Sequence, residues 1–357
     1  MNFPNEAGGA RRRSLPLGEA RTLLKSSLAQ HVRPELEGGI LLIDRTGAVT
    51  SFSPAESEWR VPQAGRTLPL NQRFSQMWQV PRKVLRRLSF ESALRRALDR
   101  GELVVHLQPK ADVATGQIVG AEALVRWLDP QRGVVWPVDF IPEAEDSGLI
   151  DRVDEHVLKA VCSQSQIRQS AGITQVPVSV NISALHLRDD TLPKLVASLL
   201  EQADLVPECL ELEITESAAM AATSQVAATL QGLHELGVRI AIDDFGRGYF
   251  SFSNLRSLPI QVLKLDRSLI RDVGVDSATS DVVTAIIAMA FKLGFEVVAE
   301  GVETTTQLEF LRQERCNTFQ GYLLAEAMPP EDFDRLLSQH SRLYATGAES
   351  QSGRQAA

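Results

Sequence analysis

Residues 226–265 read VAATLQGLHELGVRIAIDDFGRGYFSFSNLRSLPIQVLKL, and this stretch decides the fold. Val226–Leu236 carries apolar residues at helical spacing, and Arg239–Ile242 is a short apolar run that ends on Asp243-Asp244. A Gly- and Ser-rich loop follows, and Val262–Leu265 opens the next apolar run. The same rhythm extends in both directions. Strand patterns fall at Leu103–Gln108, Val119–Trp127, Val178–Ile182, Leu210–Ile214, Val297–Ala299 and Gln320–Leu323. Helical patterns fall between them at Leu192–Gln202, Asp281–Leu293 and Thr306–Gln313. Eight strands with intervening helices, over about 250 residues from Phe90 to Gln339, predict an α/β fold of the (β/α)8 TIM-type barrel class. Only the short Asp112–Gly116 turn separates the first two strands, so that pair is expected to be antiparallel and the barrel to have a modified start.

At 357 residues, 44% hydrophobic and 23% charged, the chain has room for one large globular domain and an appendage. The longest nearly apolar run, Val282–Phe291, is far short of the ~20 residues of a spanning helix, so no integral membrane contact is expected. Arg11–Arg13 are followed by no apolar leader segment, and the expected location is cytoplasmic. Cys162, Cys209 and Cys316 are widely spaced with no CxxC pair, which excludes a disulfide scaffold and a structural zinc site. The six histidines form no ligand spacing. Charge is uneven: residues 1–100 carry 17 Lys/Arg against 9 Asp/Glu, and the remainder 20 against 36. The basic stripe Arg82, Lys83, Arg86, Arg87, Arg95 and Arg96 has no interleaved aromatics, so it reads as a solvated helix face and no nucleic-acid partner is expected.

Residues 1–88 have a weaker pattern and form a separate segment, a small α+β element before a barrel over 89–340, with a disordered tail at 341–357. Glu19–Gln30 reads as an amphipathic helix, and Ile40–Ile43 and Ala48–Phe52 as strands joined by a tight turn. This part resembles a fragment of a PAS-like sensory module. Val61–Leu70, punctuated by Pro and Gly, reads as loop, and Arg82–Arg100 as helix.

In a barrel of this kind function collects at the carboxyl ends of the strands. From the second strand onward those positions hold Glu122, Asn181, Glu213, Asp243-Asp244, Lys264, Glu300 and Gln320. Taken singly each has a plain reading: Glu122 as a core salt-bridge partner, Asp243-Asp244 as a loop start, Lys264 as a buried structural ion pair. Together, at equivalent strand positions, they make one acidic mouth. So many anions need compensating cations. Oxygen donors without thiolate or imidazole suit Mg2+ or Mn2+, and two ions about 3.5–4 Å apart are the arrangement used in phosphodiester hydrolysis.

The motifs Glu122-Ala123-Leu124, Asn181-Ile182-Ser183, Glu213-Ile214-Thr215-Glu216, Asp243-Asp244-Phe245-Gly246, Lys264-Leu265-Asp266, Glu300-Gly301-Val302-Glu303 and Gln320-Gly321 occur in this order. The region 89–340 thereby resembles the EAL domain, the cyclic-di-GMP phosphodiesterase of bacterial second-messenger signalling. The resemblance implies metal-dependent hydrolysis of cyclic di-GMP to linear pGpG. It implies a first ion on Glu122, Asn181, Glu213 and Asp243, and a second on Asp243, Asp244 and Glu300. Lys264 would orient the attacking water or stabilise developing charge. Arg126 would pair with the phosphate that is not cut, with Gln108, Leu124 and Gln320 also against the substrate. Glu216 and Glu303 would brace the loop after Asp244, and the barrel would form a homodimer.

The chain departs from the family pattern in places. Arg247 stands where a small residue is usual and Phe250 where a small hydroxyl is usual. His106-Leu107 replaces two common aromatics, and His106 reads as a satisfied or pocket-wall histidine rather than a ligand; Ala327 replaces a usual proline. An active phosphodiesterase is the expected function. The alternatives are a catalytically silent cyclic-di-GMP receptor, favoured by Arg247 and Phe250, and a scaffold that binds no nucleotide.

Overall fold

The computed structural model describes residues 40–43, 49–52, 58–60, 67–69 and 82–339, except 189, 222 and 248–257, with side chains from Phe90 onward. The helix expected at Glu19–Gln30, the tail beyond 340 and Phe250 lie outside the described residues. The chain divides into two units, Met1–Phe90 and Glu91–Ala357.

In the first unit β1 (Ile40–Ile43), β2 (Val49–Phe52), β3 (Glu58–Arg60) and β4 (Thr67–Pro69) form an antiparallel sheet in that order. The stretch expected as loop over Val61–Leu70 thus contains a strand, Thr67–Pro69. It lies at the sheet edge, where a proline lacking an N–H is tolerated. Helix α1 (Arg82–Arg100) follows, and the division between units falls within it. Its Leu94 and Ala97 are buried in the second unit.

The second unit contains a closed ring of eight strands: β5 (Leu103–Asp112), β6 (Ile118–Asp129), β8 (Val178–Asn181), β9 (Leu210–Thr215), β10 (Arg239–Phe245), β11 (Val262–Leu265), β12 (Glu296–Ala299) and β13 (Thr318–Phe319). A short β7 (Gly133–Val135) pairs only with the outer end of β6. From β6 round to β13 neighbours are parallel. Strand β5 is antiparallel to both neighbours, β6 and β13, so the modified start predicted from the short turn extends to the closing seam.

Helices α2 (Pro137–Ser147), α3 (Ile150–Ser170), α4 (Leu192–Ala203), α5 (Glu216–Met220), α6 (Ser224–Glu235), α7 (Arg267–Ile270), α8 (Ser277–Leu293) and α9 (Thr305–Gln313) fall between the strands, and α10 (residues 330–339) ends the described chain. Their starts follow capping chemistry: Thr223, Asp276 and Thr304 each accept from a backbone N–H of the first turn. Every residue of β11 is buried, as expected of a parallel strand covered on both faces. The core joins barrel residues such as Val180, Leu212, Ile242 and Leu263 to helix residues such as Leu158, Leu230 and Ile287.

Seven of the eight strands expected in the barrel overlap observed ones, and β11 coincides end to end, as does β1 in the first unit. The last was expected at Gln320–Leu323 but occupies Thr318–Phe319, with Gln320 just beyond it. Gly321 is the reason. It has φ +158°, and a Cβ there would lie 2.2 Å from the Val302 carbonyl oxygen. The backbone crosses Val302 closely and turns, so the apolar run that follows cannot extend the sheet. Among the described residues no helix is long and apolar enough to cross a membrane.

Candidate active site

Each strand delivers its polar residue at or near its carboxyl end. Asn181 closes β8, Glu213 is two residues from the end of β9, and Lys264 is the third residue of β11. Glu300 and Gln320 immediately follow β12 and β13. Glu122 lies mid-strand because β6 overruns the barrel in its hairpin with β5, and in that register it faces Gln108. The register also sets Asn181 beside Glu213 and Asp243 beside Thr215.

The side chains converge on one ammonium. Lys264 Nζ lies 2.6 Å from Glu213, 2.8 Å from Glu300, 3.1 Å from Asp243 and 3.4 Å from Glu122. Lys264 is fully buried. Asn181 Nδ2 donates to Glu122 at 2.9 Å and to Glu213 at 3.4 Å. Gln320 Nε2 donates to Glu122 at 2.8 Å and to Gln108 at 2.9 Å, and Gln108 Nε2 donates to the Ala325 carbonyl. Two residues beyond Asn181, the Ser183 amide donates to the buried Asp154 carboxylate at 3.0 Å.

Four carboxylates round one ammonium leave surplus negative charge, and the proton affinities record it. Burial opposes the charge of Lys264, but Glu122, Glu213, Glu300 and Asp243 outweigh it and hold the amine firmly protonated. Burial pushes Glu300 up to about 8, against the pull of Lys264 and with help from Asp243 and Glu122. Burial likewise raises Glu122 and Asp243. Glu213 goes the other way, to about 2: burial works to raise it, but Lys110 and Lys264 together overcome that.

A pH dependence follows. A carboxyl that binds its proton up to about pH 8 when folded, but only to about 4.5 when unfolded, stabilises the fold less as pH rises through that window. In chelator the melting temperature is expected to fall between pH 5 and pH 8, with a contribution from Glu300 that Glu300→Gln removes. An unchanged pH slope in Glu300→Gln would refute this origin.

Sequence reasoning missed a second cation. Lys110, 4% exposed, bonds Glu211 at 3.0 Å, Glu213 at 2.9 Å and the Ser179 hydroxyl. Glu211 also accepts from Ser179 at 2.6 Å and approaches Arg239 at 3.4 Å. Glu213 thus links two buried lysines, Lys264 on the site side and Lys110 behind it. The signal was available, because Lys110 is two residues beyond Gln108 and so on the same face of β5.

Three other expectations concern the rim and the loop. Leu124 and Arg126 share the face of β6 that carries Glu122. Arg126 Nη1 donates to the Val125 carbonyl, and its guanidinium lies 4.6 Å from the Trp136 ring centre. His106, beside Leu124, is half-buried, and burial and the nearby Arg126 lower its proton affinity, which agrees with a neutral wall residue. Glu216 accepts from the Gly246 amide at 3.0 Å. Glu303 is exposed, and only its backbone amide makes a bond among the described residues, to Gln307. Asp244 has φ +56°, its amide donates to Asp243 at 2.9 Å, and its carboxylate pairs with Arg247 at 3.1 Å.

As a donor set, Glu122, Asn181, Glu213, Asp243, Asp244 and Glu300 are all hard oxygen ligands of the kind Mg2+ and Mn2+ take. The surplus of anions and the buried, unpartnered Gln320 Oε1 fit a cation or polar ligand in this mouth. The oxygens close round the ammonium, however, and among the described residues no group of three or more His, Cys, Asp or Glu is arranged to hold a metal ion as it stands. An ion would have to draw carboxylates away from Lys264.

Comparison with known proteins agrees with the motif order. The family model described as the EAL domain matches residues 91–327. Over 242 residues the chain is 44% identical to the cyclic di-GMP phosphodiesterase NbdA of Pseudomonas aeruginosa, covering 68% of this chain and 31% of that protein. It is 36% identical over 257 residues to the cyclic di-GMP phosphodiesterase PdeR of Escherichia coli, covering 72% of this chain and 39% of the relative. The chain therefore spans about a third of the length of these curated relatives. A solved structure described as the PaMucR phosphodiesterase in complex with c-di-GMP superposes with a TM-score of 0.65 at 41% identity, covering 68% of this chain and 99% of that one. The FimX EAL domain of Pseudomonas aeruginosa bound to c-di-GMP gives 0.63 at 26% identity, covering 67% and 96%. With the family model matching about two-thirds of its length, this chain belongs to the EAL domain family.

Proposed function

We propose that the barrel, taken as residues 89–340, is a divalent-metal-dependent phosphodiesterase that hydrolyses cyclic di-GMP to linear pGpG. The observation that carries this is the convergence of Glu122, Glu213, Asp243 and Glu300 on Lys264, with Asn181 bonded to two of them. Relatives named as cyclic di-GMP phosphodiesterases support the substrate. The length of the site supports it too. Arg126 lies four residues along β6 from Glu122, roughly 13 Å at strand rise. A cyclic dinucleotide, with two separated phosphates, can place one at the acidic cluster and the other at that guanidinium.

In this reading Glu122, Asn181, Glu213 and Asp243 would hold one ion, and Asp243, Asp244 and Glu300 would hold a second. Bound divalent ions lower the pKa of water and neutralise charge on the phosphate and the departing 3′-oxygen. Lys264 would donate hydrogen bonds to the attacking water or to developing charge. Gln320 and Gln108 brace Glu122 at the floor, and Arg126 pairs with the phosphate that is not cut. Residues 1–88 would then be a separate regulatory or linking segment, and the barrel the unit that dimerises.

The test is cyclic-di-GMP turnover with Mg2+ and with Mn2+, following pGpG, with Glu122→Ala as control. Turnover that Glu122→Ala abolishes is the expected result, and no turnover with either metal would sink it.

A second reading, a silent cyclic-di-GMP receptor, is favoured by one observation. Arg247 pairs with Asp244 and stands 3.8 Å from Asp266, so a guanidinium already neutralises one carboxylate assigned to the second ion. Exposed pairs of this kind are worth roughly 0–1 kcal/mol, which an ion can displace, so the enzyme reading is preferred. Arg247→Ala is expected to tighten Mn2+ binding about 3-fold by calorimetry. Unchanged affinity would remove Arg247 as a competitor.

A further inference from the structure

Trp136 breaks a local rule. It stands at the N-cap of α2, where Ser, Thr, Asp or Asn would bond the first-turn amides, and it makes no side-chain cap. It is not there for the core either, since 53% of its surface is exposed. Its position follows from the β6–β7 hairpin. Val135 pairs with Trp127, so the next residue along the returning chain comes opposite Arg126. There the Arg126 guanidinium lies against the indole at 4.6 Å, and Arg126 is left only 7% exposed. A side chain that forgoes capping, stays half in solvent and covers one arginine is best explained by what it does with that arginine.

The arginine faces the site. Arg126 shares the β6 face of Glu122 and Leu124, at the rim above the acidic cluster, and Tyr322, 67% exposed, is near enough to act on it electrostatically. A guanidinium held over an indole face is pre-organised to meet a phosphate, because the cation–π contact restrains it without using its N–H donors. The open part of the same indole is a surface for a base, and aromatic stacking binds bases through their π-face.

Resting on the reading that cyclic di-GMP is the substrate, we propose that Trp136 and Arg126 form one composite subsite at the rim. Trp136 positions the Arg126 guanidinium for the uncut phosphate and stacks against the neighbouring guanine. Trp136 is thus a substrate-binding residue that acts on affinity, remote from bond cleavage.

The experiment uses the full chain with Trp136→Ala and Trp136→Phe. Trp136→Ala is expected to raise KM for cyclic di-GMP about 10-fold, the loss of one stacked base, with kcat within 2-fold. Trp136→Phe should recover most of it. Turnover of bis(p-nitrophenyl) phosphate, a diester without guanine, should be little changed in both. Cyclic di-GMP should also quench tryptophan emission in the parent protein, and Trp136→Phe should lose that quench while Trp59, Trp78 and Trp127 remain. An unchanged KM, an equal loss on both diesters, or a quench that survives Trp136→Phe would overturn the subsite. If the parent protein turns over neither diester but its quench depends on Trp136, the subsite stands and the enzyme reading falls. No quench in the parent protein overturns the subsite.

Discussion

Lys110→Met is expected to lower the unfolding free energy by about 3–5 kcal/mol, the cost of breaking a buried ion pair from one side. Methionine fills nearly the same volume, so the loss is one of charge. Glu211 and Glu213 would keep their burial and each lose one of two cations, with Arg239 at 3.4 Å left for Glu211 and Lys264 at 2.6 Å for Glu213. The loss should shrink as pH falls, because Glu213 is held at about 2 by Lys110 and Lys264 together and would protonate more readily with only one of them. Urea unfolding at pH 7 and pH 5 measures both effects. A second substitution, Glu211→Gln, should restore part of the stability. A loss under about 1 kcal/mol at pH 7 would show that Lys110 is dispensable to the fold.

Lys264→Met is expected to reduce turnover by a factor on the order of 10^2–10^3, the size seen when one preorganised donor is removed from a reacting centre. It differs from the first variant in how stability responds to ions. Without Lys264 four carboxylates face one another, so the protein in chelator should be strongly destabilised. Mg2+ should restore much of that, because an ion that binds only the folded state stabilises it by mass action. Lys110→Met, which removes a cation from behind the site and leaves Lys264 within it, should gain much less. A Lys264→Met protein with near-normal turnover would remove Lys264 from the mechanism. One whose melting temperature ignores Mg2+ would remove the ion from this mouth.

Much of this was legible because barrels write their function at a repeated address. Each short apolar run in the second unit ends on a polar residue, and the structure gathers Glu122, Asn181, Glu213, Asp243, Lys264, Glu300 and Gln320 from seven strands. Lys264 is a buried ion-pair partner, as its plain reading has it, and it lies at the centre of the candidate site. Other features were less legible for physical reasons. Lys110 lies within a strand rather than at its end, and only the two-residue period from Gln108 points inward. The end of β13 is set by Gly321 passing Val302, a contact between segments about twenty residues apart that no local pattern carries. Thr67–Pro69 pairs as a three-residue edge strand, too short to show alternation. Trp136 meets Arg126 only through a hairpin register.

The antiparallel seam bears on how such a protein comes into being. Strand β5 is made some two hundred residues before its second neighbour, β13, so the ring of hydrogen bonds cannot close until β13 has been made. Until then β5 offers an unpaired edge, a template for other chains. The late partner also brings Gln320, which ties Gln108 to Glu122 across that seam. The high contact order of this one pairing makes it a slow and late event. A nascent chain therefore acquires the floor of its acidic mouth only with the step that removes its stickiest edge, so that assembly of the site and release from the risk of aggregation coincide.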